Sequence, residues 1–411
     1  MINFDRFTLN NGLKVLVHRD ESTPIAVVNV LYDVGARDEN PDRTGFAHLF
    51  EHLMFGGSVN IPVYDEPLQK AGGDNNAFTN NDITNYYLTL PKENLETAFW
   101  LESDRMLSLA FTEKSLEVQR NVVIEEFKQR YLNQPYGDAH LLLRPLAYKV
   151  HPYQWSTIGK ETAHIADATL EEVKSFFYKH YAPNNAILSV TGNVTTGEVK
   201  KLAEKWFGPI EKRNIAPRNL PAEPAQTETR TRHVQRDVPF DAIYKAYHMC
   251  GRQDEAYHTC DLISDILSNG NSSRLYLRLV QQKKLFSELN AYISGSIDNG
   301  LFHFGGKLMK GISMQQAEDA LNEEIDFLKI QPVDEYELDK VKNKVESTLV
   351  FSYTNTMEKA YSIAFFELLG NAGDINSEVD KYRRVTTANI QETAKEIFRK
   401  ENCSTLYYEA K

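Results

Sequence analysis

Four prolines break this chain near its middle. Between Gly208 and Arg230 stand Pro209, Pro217, Pro221 and Pro224, with no hydrophobic periodicity among them. Proline fixes φ and carries no N–H, so this stretch can be neither a helix interior nor a central strand. It predicts an extended linker. A chain of 411 residues is also too long for one ordinary core. The expected division is an N-terminal domain over 1–209, a linker over 210–229 and a C-terminal domain over 230–411.

The two halves read alike. In the first, Phe7-Thr8-Leu9 and Lys14-Val15-Leu16-Val17 flank the turn signal Asn10-Asn11-Gly12. A buried strand follows at Ile25–Tyr32, then an apolar helix, a β segment over Ile83–Leu90 and helical patterns over Asn94–Leu109 and Glu113–Leu132. A late strand lies at Ala186–Gly192. After the linker come strands at His233–Val238 and Ala242–His248, a helix over Ala256–Leu267 and a hairpin turning at Asp298-Asn299-Gly300. Helices over Met314–Ile330 and Glu335–Ser352 and a last strand at Ser404–Tyr408 complete it. Strands and helices are mixed without regular βαβ alternation, which favours α+β. The expectation is two homologous α+β domains of similar size.

Composition excludes some functions. The chain is 42% hydrophobic and 25% charged, with net charge -11 and dispersed basic residues. A nucleic-acid surface needs a basic patch, and an anionic membrane would repel this charge, so no nucleic-acid or membrane partner is expected. The apolar runs are far too short for a membrane span. Met1–Phe7 shows no basic segment leading into an apolar one, and Cys250, Cys260 and Cys403 form no C-x-x-C or even framework. Reduced thiols and a cytoplasmic location are the expectation. A metal site here would have to use His and carboxylate.

The stretch Gly45-Phe46-Ala47-His48-Leu49-Phe50-Glu51-His52-Leu53-Met54-Phe55 is where chemistry shows. It reads as a short helix with almost no polar side, closed by Gly56-Gly57. His48, Glu51 and His52 nevertheless share one face at offsets of three and four. Burying two imidazoles and a carboxylate is costly unless a metal, solvent or a salt bridge compensates. Within the helix over Glu113–Leu132, Glu126 shares a face with Gln119, Val122 and Val123. It reads either as a buried ligand or as the solvated edge of an amphipathic helix. Gly72–Asp82 is a Gly/Asn-rich approach to the next β segment, a surface hairpin or a functional one. The matching helix of the second half, Tyr257-His258-Thr259-Cys260-Asp261-Leu262, lacks the ligand pattern, so only one half is expected to be catalytic.

His48-x-x-Glu51-His52 resembles the inverted zinc-peptidase motif H-x-x-E-H. The wider sequence resembles the pitrilysin family, in its mitochondrial-processing-peptidase-like bacterial branch. The resemblance runs over nearly the whole chain. It is carried by Leu9–Leu13, Gly45–Phe55, Asn76-Ala77-Phe78-Thr79, Arg120–Glu126, Pro183–Ala186 and Ser272-Ser273-Arg274-Leu275-Tyr276. It implies a zinc metalloendopeptidase with one zinc per chain. By that resemblance His48, His52 and Glu126 are the zinc ligands, with Glu125 the competitor for the third position, and Glu51 is the general base. It also implies that Asn76, Ala77 and Phe78 lie on an edge strand that takes an extended peptide by β-augmentation.

The sequence departs from the family's pattern twice. The family commonly carries a second Glu seven residues before the ligand Glu, and here that position is Gln119. Active relatives also carry, in the second half, an Arg and a Tyr seven residues later that bind substrate backbone. Aligned from Ser272–Tyr276, those positions are Val280 and Ser287. Some bacterial relatives divide the work, one subunit holding the zinc motif and a homologous partner supplying the Arg/Tyr pair. The resemblance then implies a heterodimer closing as a clamshell around a chamber that admits short or unfolded peptides. The alternative is a non-catalytic structural or assembly subunit of the same fold.

Overall fold

The computed structural model describes residues 1–411. The strands are Asp5–Thr8 (β1), Lys14–Arg19 (β2), Ile25–Tyr32 (β3), Asp74–Thr79 (β4), Thr84–Pro91 (β5), Ala186–Gly192 (β6), Arg230–Arg236 (β7), Ala242–His248 (β8), Phe286–Ile293 (β9), Leu301–Leu308 (β10) and Cys403–Ala410 (β11). The first eight helices are Phe46–Leu53 (α1), Asp65–Lys70 (α2), Leu95–Leu107 (α3), Glu113–Phe127 (α4), Ala139–Ala147 (α5), Ala163–Ala166 (α6), Leu170–His180 (α7) and Thr196–Trp206 (α8). The remaining six are Tyr257–Ser268 (α9), Met314–Ile330 (α10), Glu335–Ser352 (α11), Thr356–Leu368 (α12), Glu378–Arg384 (α13) and Thr387–Ile397 (α14). Two α+β domains result, as the mixed order implied, and no helix is long and apolar enough to cross a membrane.

The domains share a topology. One sheet runs β1-β2-β6-β3-β5-β4 and the other β7-β11-β8-β10-β9. In each, the late strand inserts between the first two long strands, parallel to one and antiparallel to the other. The strands at His233–Val238 and Ala242–His248 therefore do not pair with each other: β11 lies between them. A local pattern cannot show this, because the inserted strand arrives from the far end of the chain.

Packing divides the chain into two compact units, and neither is a contiguous half. The first comprises Met1–Phe127, Trp155–Leu220 and Val350–Ser377; the second comprises Lys128–Gln154, Pro221–Leu349 and Glu378–Lys411. The expected boundaries, 1–209 and 230–411, do not describe this packing. The reason is apolar matching. In the first unit Ile363, Ala364 and Phe366 of α12 pack with Leu16, Leu31 and Ile187 of its sheet. In the second, Ala139, Leu143 and Ala147 of α5 pack with Ala242, Ala246 and Leu406. Burying an Ile or Phe side chain stabilises by roughly 1.5–3 kcal/mol, so each helix is held firmly where its apolar face is covered.

The proline-rich stretch has no regular secondary structure between Glu211 and Glu228, yet it is pinned along its length. In the first unit Arg213 Nη1 donates to Tyr181 O at 2.6 Å, and Arg218 donates to Asp38 at 2.7 Å and Asp33 at 2.8 Å. In the second, Glu223 accepts from the N–H groups of Lys149, Val150 and His151 at 2.7–2.9 Å, and Gln226 donates to Cys403 O at 2.8 Å. Proline removes backbone donors here, and charged side chains supply the bonds instead.

Candidate metal centre

Helix α1 starts where Gly45 adopts φ +91, a conformation that favours glycine, and where an added Cβ would meet Ile158 O at 2.7 Å. The orphan N–H groups of its first turn are met by Glu39. That carboxylate accepts from Gly45 N at 2.9 Å and Ala47 N at 2.8 Å, and from Trp155 Nε1 at 3.1 Å. Burial pushes the Glu39 carboxyl up to about 8, against the opposing pull of these N–H groups. The residue just before α1's Gly45 is also fixed: Thr44 N donates to His164 Nδ1 at 3.1 Å, and Thr44 Oγ1 accepts from Lys160 N at 2.9 Å. No sequence motif marks Glu39, which lies in the loop ahead of α1. Its signal was a Glu a few residues ahead of an apolar helix that has no Ser, Thr, Asp or Asn at its N-cap.

Phe46, Ala47, Leu49, Phe50 and Leu53 of α1 are buried, as an all-round apolar pattern requires. Phe50 stacks on Phe176 and Tyr181. The i,i+4 spacing brings the His48 and His52 rings to 4.8 Å, edge to face. Helix α4 packs against α1 and is anchored by Arg120, whose Nη1 donates to Ala166 O and Ala168 O, each at 3.0 Å.

At the end of α4, Glu126 meets both imidazoles. Its Oε2 lies 3.3 Å from His52 Nε2 and 3.6 Å from His48 Nε2, and one donor atom from each of the three residues lies within 4.8 Å of the others. Glu125 is exposed and stands outside this cluster. A tetrahedral ion with bonds of ~2.0–2.1 Å has edges of about 3.4 Å. Two imidazoles and a carboxylate at these separations therefore fit zinc. The His52 and Glu126 side chains stay 25% and 17% exposed, so the cluster is open on one side, as an additional water ligand requires.

The remaining predicted residues of the first unit lie on α1, α4 and β4. Glu51 is half-buried on the face between the two imidazoles. Burial holds the Tyr86 and Tyr181 phenols far above their ordinary pKa, and the charge of Glu51 adds to it, so both stay protonated beside that carboxylate. Gln119 lies two turns before Glu126 on α4, half-buried. Asn76, Ala77 and Phe78 lie on β4, the edge strand of the first sheet, which contacts α1. Tyr86 opposes Ala77 across the ladder and donates to Phe50 O of α1 at 3.3 Å, tying strand to helix. Ala77 N–H bonds the Asn76 side chain at 2.8 Å. Phe78 packs its ring edge-on against Tyr361, with centroids 5.3 Å apart. In the second unit Val280 packs against the apolar core and Ser287 Oγ donates to Lys307 O at 3.2 Å.

An α+β fold with a His/His/Glu cluster on adjacent helices beside an edge strand has the architecture of the inverted-motif metallopeptidases. Two family models match the chain: Insulinase (Peptidase family M16) over residues 14–159 and Peptidase M16 inactive domain over 167–345. The chain belongs to the M16 family. It is 29% identical over 411 residues to the zinc protease PqqE of Helicobacter pylori, covering 97% of this chain and 91% of that protein. It is 26% identical to the uncharacterized zinc protease YmxG of Bacillus subtilis, covering 96% and 95%. The crystal structure of a protease from Helicobacter pylori superposes with a TM-score of 0.93 at 27% identity, each chain covered completely. Pitrilysin shares the fold, with a TM-score of 0.78 at 19% identity over 99% of this chain and 45% of its own.

Proposed function

We propose that this chain is a zinc-dependent endopeptidase acting on short or unfolded peptides, and that it is the zinc-bearing subunit of a heterodimer. The observation that carries this reading is the convergence of His48, His52 and Glu126 on helices beside the edge strand β4. These three residues would hold one zinc ion per chain. When bound, the ion acts as a Lewis acid that brings the pKa of a water down to about 7.

The protein's own groups do the rest. Glu51 accepts a proton from the attacking water on its carboxylate and passes it to the leaving amine, a role contributing typically ~10²–10⁴-fold. The β4 edge receives an extended peptide through main-chain hydrogen bonds, with loose side-chain preference. Gln119 stands where a carboxylate is more usual, and its neutral amide retains the capacity to hydrogen-bond there. Val280 and Ser287 offer neither a guanidinium nor a phenol, which supports a homologous partner that supplies an Arg/Tyr pair and closes a chamber with this chain.

Glu51→Gln is expected to retain zinc and lose turnover, and His48→Ala to lose both. Turnover of a quenched peptide at the wild-type rate by Glu51→Gln would remove the general-base role. Robust zinc-dependent cleavage by the chain alone, monomeric or homodimeric, would sink the heterodimer. The same two positions, Val280 and Ser287, favour one rival, a non-catalytic assembly subunit. Substoichiometric zinc in the purified protein would support that rival.

A further inference from the structure

The second unit holds two of the three cysteines side by side. Cys250 follows β8 and Cys260 lies in the first turn of α9, with their sulfurs 3.8 Å apart. We propose that Cys250 and Cys260 form a redox-active dithiol that closes to a disulfide by exchange with a low-molecular-weight disulfide. This is independent of the metal centre.

Three observations carry it. First, the gap is small: a disulfide needs ~2.05 Å, so each sulfur has less than about 1 Å to travel by side-chain rotation. Second, the backbone between them is already fixed. Arg252 N donates to Ser296 O at 3.0 Å, Asp254 N to Gly251 O at 3.1 Å, Tyr257 N to Asp254 O at 3.1 Å and Cys260 N to Ala256 O at 2.9 Å. A Cβ on Gly251 would meet Ile297 O at 2.4 Å, so the chain passes that point closely. The Arg252 guanidinium adds an ion pair to Glu378 and lies 4.6 Å over the Tyr257 ring. With the thiols held together, little loop entropy remains to be lost on closure. Third, both cysteines line a cleft of about 390 Å³, bordered by Glu223, Asp254, Glu396 and Arg399. Cys250 is partly exposed there and Cys260 is buried behind it. Cys403 is buried and bonds Thr405 Oγ1 instead.

The pair divides into attacking and resolving thiols. A hydrogen bond from Cys260 lowers the pKa of Cys250, and the same bond, with burial, raises that of Cys260. Cys250 Sγ attacks one sulfur of R–S–S–R; that S–S bond breaks and one R–SH leaves with the Cys250 proton. Cys260 Sγ then attacks Cys250 Sγ, the mixed disulfide breaks, and the second R–SH leaves with the Cys260 proton. Two protein thiols are oxidised and one external disulfide is reduced to two thiols. Closure fastens the end of β8 to the start of α9.

The test uses the full chain in buffers of oxidised and reduced glutathione, followed by denaturation, alkylation and peptide mapping by mass spectrometry. The expected result is loss of both alkylated peptides and appearance of one Cys250–Cys260 linked pair, with Cys403 alkylated throughout and full reversal by dithiothreitol. Cys260→Ser is expected to trap Cys250 as its glutathione mixed disulfide. His48→Ala is expected to oxidise like wild type, so failure of the metal reading would not touch this one. Persistent alkylation of both cysteines in oxidised glutathione alone, arrest of wild type at a Cys250 mixed disulfide, or a link to Cys403 would each overturn the proposal.

Discussion

Exchanging Glu126 for Gln, beside the same exchange at Glu125, tests which of two adjacent carboxylates makes the third ligand. Glu126 Oε2 sits 3.3 Å and 3.6 Å from the two imidazole Nε2 atoms, whereas Glu125 is exposed and outside the cluster. Four-ligand zinc sites in small peptides bind with about 10–16 kcal/mol, so one ligand is worth roughly 2.5–4 kcal/mol. Glu126→Gln should therefore weaken zinc binding by roughly 10²–10³-fold. Glu125→Gln should leave it unchanged. In metal-free protein the Glu126–His contacts are partly solvated, so their loss should shift stability by at most about 1 kcal/mol. Competition against a chromogenic chelator reads the affinity, and urea unfolding of the metal-free variants reads the stability. A zinc affinity of Glu126→Gln within a few-fold of wild type would refute the assignment. So would an equal loss in Glu125→Gln.

Glu39→Ala leaves the buried Gly45 and Ala47 N–H groups without their acceptor, at roughly 1–3 kcal/mol each, so the urea midpoint should fall clearly even without metal. Trp155 Nε1 keeps Ala36 O at 2.9 Å and should add little to that loss. Ala77→Pro removes an N–H that is bonded to the Asn76 side chain and is not part of the β4–β5 ladder, so peptide KM should rise while the unfolding midpoint moves little; an unchanged KM would exclude that N–H from substrate binding. Burial pushes the Glu378 carboxyl up, but His258 and Arg252 hold it at about 2. A depressed carboxylate pKa stabilises above the unfolded value and is lost as pH falls. The native chain should thus lose roughly 3 kcal/mol between about pH 4.5 and 2, and Glu378→Gln should flatten that limb in acid-unfolding curves.

The candidate metal site was legible where its parts are local. His48, Glu51 and His52 share a helix whose apolar residues leave them nowhere else to go, and an i,i+4 spacing fixes their common face whatever the rest of the chain does. The third residue was narrowed to Glu125 or Glu126, and only the packing of α4 on α1 shows which one reaches the imidazoles. The Asn76–Phe78 segment was equally open as a surface hairpin, because an edge is a property of the sheet and not of the strand. Tertiary choices were hidden for a related reason. The apolar faces of α5 and α12 say that each helix needs a sheet, not which sheet, so the two units exchange segments that a linear reading assigns to their own halves. The anchoring roles of Glu39 and Arg120 were not legible because their partners, the α1 N–H groups and the carbonyls of Ala166 and Ala168, belong to every residue type alike.

The same plan in two copies explains why one copy can hold a metal and the other is ill suited to it. In each unit a helix follows a central strand and contacts the edge strand: α1 after β3 against β4, and α9 after β8 against β9. At the start of α9 stands His258, but its i+4 neighbour is Leu262, so no second imidazole joins it. His258 Nε2 instead donates to Glu378 Oε1 at 3.0 Å, and the Arg252 guanidinium pairs with the same oxygen. Asp261, the i+3 carboxylate, accepts from Tyr382 at 2.6 Å. A carboxylate already neutralised by a guanidinium offers a divalent ion little net attraction, and an arginine cannot be deprotonated to make room. In the first unit the carboxylate facing the α1 histidines, Glu126 at the end of α4, meets two imidazoles, which are neutral when they act as metal ligands. That arrangement leaves the negative charge for a cation from outside. The two helices thus differ in what faces the carboxylate beside them: a guanidinium and one imidazole at α9, two imidazoles at α1.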